Sequence, residues 1–154
     1  MITIRVYGIL INEQKQVLVS DEYIRGKYYT KFPGGGLEVG EGTRDCLKRE
    51  LKEELGIDTS IGNHIYTTDY FQMSAFHTGH QIISIYYFAT PLEEIKVRLN
   101  TKPFDFDEQQ MDIYNKTGET ESFRMIEWND FSEESVTLPI DKIVARIVKS
   151  QNTV

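Results

Sequence analysis

The stretch Gly34-Gly35-Gly36-Leu37-Glu38-Val39-Gly40-Glu41-Gly42-Thr43-Arg44-Asp45-Cys46-Leu47-Lys48-Arg49-Glu50-Leu51-Lys52-Glu53-Glu54-Leu55-Gly56-Ile57 decides the reading of this chain. Its second half predicts a helix from Thr43 to Leu55, stopped by Gly56 as a C-terminal cap. On that helix Glu50, Glu53 and Glu54 share a face about 100° wide, and Leu47, Leu51 and Leu55 form the adjoining apolar stripe. The leucines predict a helix pinned to a sheet with carboxylates at the margin of the contact. Glu50 and Glu54 are like charges at i, i+4, which destabilise a lone helix. A hard divalent cation such as Mg²⁺ or Mn²⁺ would offset the repulsion, since it prefers carboxylate oxygens. Arg49 is placed to hold the cluster or to pair with Glu41. Five glycines between Gly34 and Gly42 let backbone approach a ligand closely, and Pro33 stiffens the entry.

Outward from this stretch, the 154 residues form one domain's worth of chain, 40% apolar and 27% charged. A single domain over 1–154 is expected, with no repeat or linker. The net charge of −7 disfavours duplex nucleic acid but not a phosphate-bearing substrate neutralised by metal. One cysteine, Cys46, excludes an internal disulfide. Mid-helix and without an adjacent base, it reads as a packing residue. The longest apolar run, Ile82 to Ala89, is too short for a membrane span, and a cytoplasmic setting is expected.

Strands are predicted at Ile4–Ile11 and Gln16–Ser20 as a hairpin, at Ile65–Phe76 and Gln81–Thr90 around Thr78-Gly79, and at Phe123–Trp128. A second helix begins near Pro139, with Ile140, Ile143, Val144, Ile147 and Val148 at helical spacing. Glu93 to Ser135 carries twelve acids against five bases, which is all of the net charge. Its middle, from Asn100 to Ser122, reads as a long loop with one short element at most. The mixed strand order predicts a mixed sheet packed between helices.

Glutamates on a helix are usually a solvated face, and glycine-rich loops are common turns. Their combination at this spacing is not. Gly35, Glu41, Arg49, Glu50, Leu51, Glu53, Glu54, Gly56 and Ile57 resemble a complete Nudix box. The resemblance covers 23 of 154 residues, with similar flanks in Phe32-Pro33-Gly34-Gly35 and in Trp128 before a C-terminal helix. It implies an α/β (α+β) fold, an α/β/α sandwich with a mixed sheet between helices. It implies metal-dependent hydrolysis of a nucleoside diphosphate linked to a further group X.

By the same resemblance Glu50, Glu53, Glu54 and the Gly34 carbonyl hold Mg²⁺ or Mn²⁺. Glu50, Glu53 and Arg49 are catalytic, and Glu41 and Arg49 also form a salt bridge that positions the helix. The base that takes the water's proton is Glu50 or a loop acid, Glu119 or Glu121, with Glu121 preferred. Arg5, Arg25 and Lys27 are candidates for phosphate contact and Phe32 for stacking on a base. A small nucleotide, such as a modified nucleoside triphosphate, is the expected substrate. Met73 stands where some relatives specialised for ADP-ribose or dinucleoside polyphosphates carry proline or tyrosine, but ADP-ribose and nucleotide sugars stay open. A non-catalytic nucleotide sensor and an RNA-end hydrolase are the competing readings. A homodimer is a family expectation.

Overall fold

The computed structural model describes residues 1–151. In chain order the elements are β1 (Ile2–Ile9), β2 (Gln16–Ile24), β3 (Lys27–Lys31), β4 (Gly34–Gly36), α1 (Thr43–Leu55), β5 (Thr59–Thr67), β6 (Gln81–Pro91), β7 (Leu99–Asn100), α2 (Glu108–Thr117), β8 (Glu119–Glu127) and α3 (Pro139–Ser150), with a 3-10 turn at Glu133–Ser135. The fold is mixed α/β, as the sequence predicts. The strands form two four-stranded mixed sheets, which belong to two compact units.

The first unit comprises residues 1–10 and 33–96. Its sheet runs β4-β1-β6-β5, with β1 parallel to β6 and the other pairs antiparallel. Helix α1 has the predicted bounds. Gly56 caps it at φ 70° and returns its N–H to Lys52 O at 3.0 Å, a left-handed turn that glycine makes without a Cβ penalty. The leucine stripe behaves as predicted: Leu47, Leu51 and Leu55 are fully buried, as are Val6, Ile9 and Ile57 of the same unit. Each such burial stabilises by about 1.5–3 kcal/mol. Arg44 ties the start of α1 to β5 through the Ile61 and Gly62 carbonyls at 3.1 and 2.7 Å.

The second unit comprises residues 11–32 and 97–151. Its sheet runs β3-β2-β8-β7. Buried Asp21 on β2 accepts from Arg124 on β8 at 2.8 and 2.9 Å and from Thr30 Oγ1 on β3 at 2.8 Å. One carboxylate therefore staples three strands. Tyr28, Tyr23 and Tyr114 stack in sequence at 4.4 and 4.1 Å and join β3, β2 and α2. The predicted face of α3 is buried through Ile140, Val144 and Val148.

Several local expectations change. The predicted β1–β2 hairpin is absent: the two strands lie in different sheets, and only an Ile11–Val17 bridge remains. The Asn12 side chain accepts the Gln16 N–H at 2.9 Å and closes that turn. The strand predicted over Ile65–Phe76 lies earlier, at β5, because Thr68 Oγ1 accepts the Ser84 N–H at 2.9 Å and ends the ladder there. Ser74 Oγ then accepts from the Phe76 and His77 N–H groups within the connection to β6. The acidic segment is no long loop. It holds the ten-residue α2, and β8 begins four residues before the predicted Phe123.

Candidate active site

Every specified position of the box lies in the first unit. Arg49, on the outer face of α1, organises it. Its guanidinium grips Glu41 with a two-point fork, Nη2 to Oε1 at 2.7 Å and Nε to Oε2 at 3.0 Å. Nη2 also donates to the Gly36 carbonyl at 3.0 Å, and Nη1 donates to Glu50 at 2.9 Å and to Glu53 at 3.4 Å. One cation thus joins the glycine loop to two of the three helix carboxylates. The planar fork suits this role in a way an ammonium would not. The Arg49 hydrogen bond, seconded by the Glu38 N–H, holds the Glu41 carboxyl down to about 2. The same pairing pushes the Arg49 pKa up.

The glycine loop is built around the Glu50 carboxylate. A Cβ at Gly35 would collide with the Glu50 carboxyl carbon and both its oxygens. Gly34 has φ +151°, and a Cβ there would strike the backbone of β1, 2.7 Å from Tyr7 Cα. The run Gly34–Gly36 pairs with Arg5–Tyr7 as β4. The glycines therefore serve close approach, to the neighbouring strand at Gly34 and to a carboxylate at Gly35. Cys46 is fully buried one turn before Glu50; burial first, then the Glu41 carboxylate, push its thiol up to about 12.

Glu50 has 16% of its side chain exposed, and Glu53 has 59%. Glu54 is of intermediate burial on the same helix. Among the described residues, no three His, Cys, Asp or Glu side chains converge on a point that would hold a metal ion, because Arg49 draws Glu50 and Glu53 to itself. The donor chemistry fits a hard divalent cation nonetheless. It is all oxygen, and the Glu50 carboxylate lies in a cradle that only glycine leaves open.

The other predicted residues are distributed as follows. Arg5 stands on β1 opposite Gly36 and donates to Tyr7 Oη at 2.6 Å. Arg25, in the β2–β3 turn, is exposed and lies 3.9 Å from Glu119. Lys27 is exposed at the start of β3. Phe32 is 1% exposed and packs on Phe131, so its ring belongs to the core of the second unit. Glu121 is not in a loop but in β8, cross-strand from Glu22. The Ser20 hydroxyl lies 3.2 Å from Glu22 Oε2 and 3.3 Å from Glu121 Oε2, and Lys31 lies 3.4 Å from Glu22. Ser20, Glu22 and Lys31 were missed by the sequence reading. The Ser20-x-Glu22 alternation after the apolar run Val17–Val19 is the signal that could have found the first two.

A model of the NUDIX domain matches residues 1–147. The chain belongs to the Nudix family. Among curated relatives, the 8-oxo-dGTP diphosphatase of Haemophilus influenzae is 31% identical over 84 residues, 53% of this chain and 57% of that protein. The RNA pyrophosphohydrolase of Hamiltonella defensa is 37% identical over 65 residues, 42% of this chain and 39% of that protein. The chain spans less than two thirds of the length of these relatives. The MutT protein of Methanosarcina mazei shares the fold with a TM-score of 0.68 at 16% identity, covering 99% of this chain and 96% of the other. Among the described residues, no helix is long and apolar enough to cross a membrane.

Proposed function

We propose that this Nudix protein hydrolyses the pyrophosphate linkage of a small nucleotide, with a modified nucleoside triphosphate as the leading substrate class. The observation that carries this reading is the Arg49 fork, which couples the glycine loop to Glu41, Glu50 and Glu53. That the family model runs through both units supports reading them as one domain. The diphosphatase relative supports the substrate class.

Glu50 and Glu54 would hold Mg²⁺ or Mn²⁺ directly, with Glu53 and the Gly34 carbonyl as further donors. When bound, the cation supplies positive charge against the phosphoryl oxygens and activates water at neutral pH. The chain's own residues do the rest. Arg49 keeps Glu50 at the mouth of the glycine loop and fixes its orientation. Glu121, or failing it Glu50, takes the proton from the attacking water. Arg5, Arg25 and Lys27 are the cations offered to the outer phosphates.

The RNA pyrophosphohydrolase relatives favour a second reading, in which the triphosphate sits at an RNA end. The net charge of −7 weighs against it, because an RNA chain needs a cationic surface. A homodimer stays a family expectation, and a cytoplasmic setting stays an expectation from the sequence.

The test is a phosphate-release screen with Mg²⁺ or Mn²⁺ over normal and oxidised nucleoside triphosphates, ADP-ribose, nucleotide sugars and a 5′-triphosphate RNA. A metal-dependent signal on a free nucleotide, lost in Glu54→Gln, is expected. Turnover of the RNA alone would favour the second reading. A folded protein that binds nucleotide without turnover would replace both with a sensor.

A further inference from the structure

Arg5 and Tyr7 alternate with Ile4 and Val6 along β1 and so project from one face of the first unit's sheet. The strand register decides what stands beside each. Arg5 lies between Gly36 on β4 and Ser84 on β6, and Tyr7 lies between Gly34 and Tyr86. Arg5 is therefore flanked by no side chain on one strand and a small one on the other. Its Nη1 lies 4.0 Å from the place a Cβ on Gly36 would take.

Tyr7 is fixed on both flanks. Its ring stacks on Tyr86 with centroids 5.3 Å apart, and its Cδ1 lies 2.9 Å from the place of a Cβ on Gly34. The bare glycine makes room for the ring, which leaves Tyr7 only 4% exposed. From that position Tyr7 Oη accepts the Arg5 Nε–H at 2.6 Å, and Arg5 Cζ lies 5.6 Å from the ring centroid. Both contacts hold a guanidinium in place.

The acceptor is neutral, so this bond orients the guanidinium without cancelling its charge. Arg49 is the contrast, since its bonds run to the Glu41, Glu50 and Glu53 carboxylates. Elsewhere in the unit Lys52 and Lys96 meet Asp58 and Glu93 at 3.5 and 2.9 Å, and Arg44 donates to backbone carbonyls of β5. Arg5 is the cation set in strand register with the glycine loop. The tyrosine engages Nε, whereas the Nη1–Nη2 edge is one that matches a pair of phosphate oxygens.

Resting on the hydrolase reading, we infer that Arg5 takes a phosphate of the substrate beside the glycine loop and that Tyr7 is its positioning residue. Tyr86 and the missing side chain of Gly34 fix the Tyr7 ring, and Tyr7 Oη fixes the guanidinium. Gly35 alternates with Gly34 and Gly36, so the cradle of Glu50 opens on the other side of β4. One short glycine strand thus carries the carboxylate on one side and the cation on the other.

The test reads binding apart from turnover. Inorganic pyrophosphate is titrated by calorimetry without metal, and KM and kcat are measured on a nucleoside triphosphate with Mg²⁺. Arg5→Ala is expected to weaken pyrophosphate about tenfold or more, as charge-assisted hydrogen bonds are lost. Tyr7→Phe keeps the ring and its stack and removes only the acceptor. It should weaken pyrophosphate and raise KM by about fivefold to tenfold, with kcat within about twofold and an unaltered circular-dichroism spectrum. In an Arg5→Ala background Tyr7→Phe should have no further effect, because the hydroxyl acts through the guanidinium. Arg5→Lys, at a partly exposed position, keeps the charge without the Nε–H and repeats the loss should Tyr7→Phe fail to fold. Pyrophosphate affinity and KM both unmoved in Arg5→Ala, or no pyrophosphate binding by the wild type, overturns the phosphate assignment. A Tyr7→Phe loss of equal size with and without Arg5 overturns the positioning role. Arg5-dependent pyrophosphate binding without hydrolysis of any nucleotide would overturn the hydrolase reading and leave the anion site standing.

Discussion

Adding one methyl group at each of two adjacent glycines separates a folding role from a functional one. At Gly35 the backbone is not left-handed, and the atoms a Cβ would meet are the Glu50 carboxylate. That carboxylate is the far end of a flexible side chain, so Gly35→Ala is relieved by swinging Glu50 aside. An off-rotamer swing costs about 0.5–1.5 kcal/mol, and at about 2–4 °C per kcal/mol for a domain of this size the Tm falls by only a few degrees. Misplacement of a catalytic group by about 1 Å can cost 10²-fold in rate, so kcat should fall by about that factor. At Gly34 the obstacles are backbone and ring atoms, Tyr7 Cα at 2.7 Å and Tyr7 Cδ1 at 2.9 Å, and φ is +151°. Overpacking of about 1–3 kcal/mol adds to backbone strain of about 1–3 kcal/mol. Gly34→Ala should therefore lower the Tm by roughly 4–24 °C. Circular-dichroism melts give the Tm, and pyrophosphate release at saturating nucleotide gives kcat. A Gly35→Ala protein with kcat within about twofold of wild type would refute the claim that the loop exists to place Glu50.

Three further outcomes are expected. Glu41 titrates near 2 in the folded protein and near about 4.3 unfolded, so its contribution is complete above the unfolded value and is lost as pH falls toward 2. Denaturation midpoints of wild type and Glu41→Gln should then differ constantly above pH 5 and converge between about 4.5 and 2; a gap that persists at pH 2 contradicts this. Cys46, buried and with its thiol pushed up to about 12, should resist iodoacetamide at pH 8 in the native state and react at once on unfolding; rapid native labelling would contradict its packing role. Glu121→Gln should lower kcat by about 10²–10⁴ with Mn²⁺ affinity unchanged, and an unaltered kcat would return the base role to Glu50.

What the sequence made legible was local. Helix α1 could be bounded to the residue because Gly56 needs its left-handed φ and the leucine stripe repeats at helical spacing. The Arg49–Glu41 pair followed from the family resemblance and reappears as a two-point fork. The failures were non-local or masked by polarity. Gly34–Gly36 has no side chains to show a period of two, yet its backbone pairs with β1. The parallel pairing of β1 with β6 joins residues about eighty positions apart, which no short window can register. The tight turn drawn between β1 and β2 was therefore given the wrong partners. Helix α2 hid in the acidic segment because it buries nothing and so carries no apolar stripe; its caps, Asp107 and Gly118, were its only signals. The start of β8 was missed for a related reason. Glu119 to Ser122 is polar on both faces, so its inward Thr120 and Ser122 do not stand out from its glutamates.

The most direct test of the carboxylate helix is a Mn²⁺ titration of wild type and Glu54→Gln followed by electron paramagnetic resonance, with nucleotide turnover measured on the same samples. The assignment of Glu50, Glu53 and Glu54 predicts that wild type sequesters Mn²⁺ and turns over. The variant should keep the wild-type circular dichroism and lose both. Equal Mn²⁺ binding and equal turnover in a folded Glu54→Gln protein would contradict it.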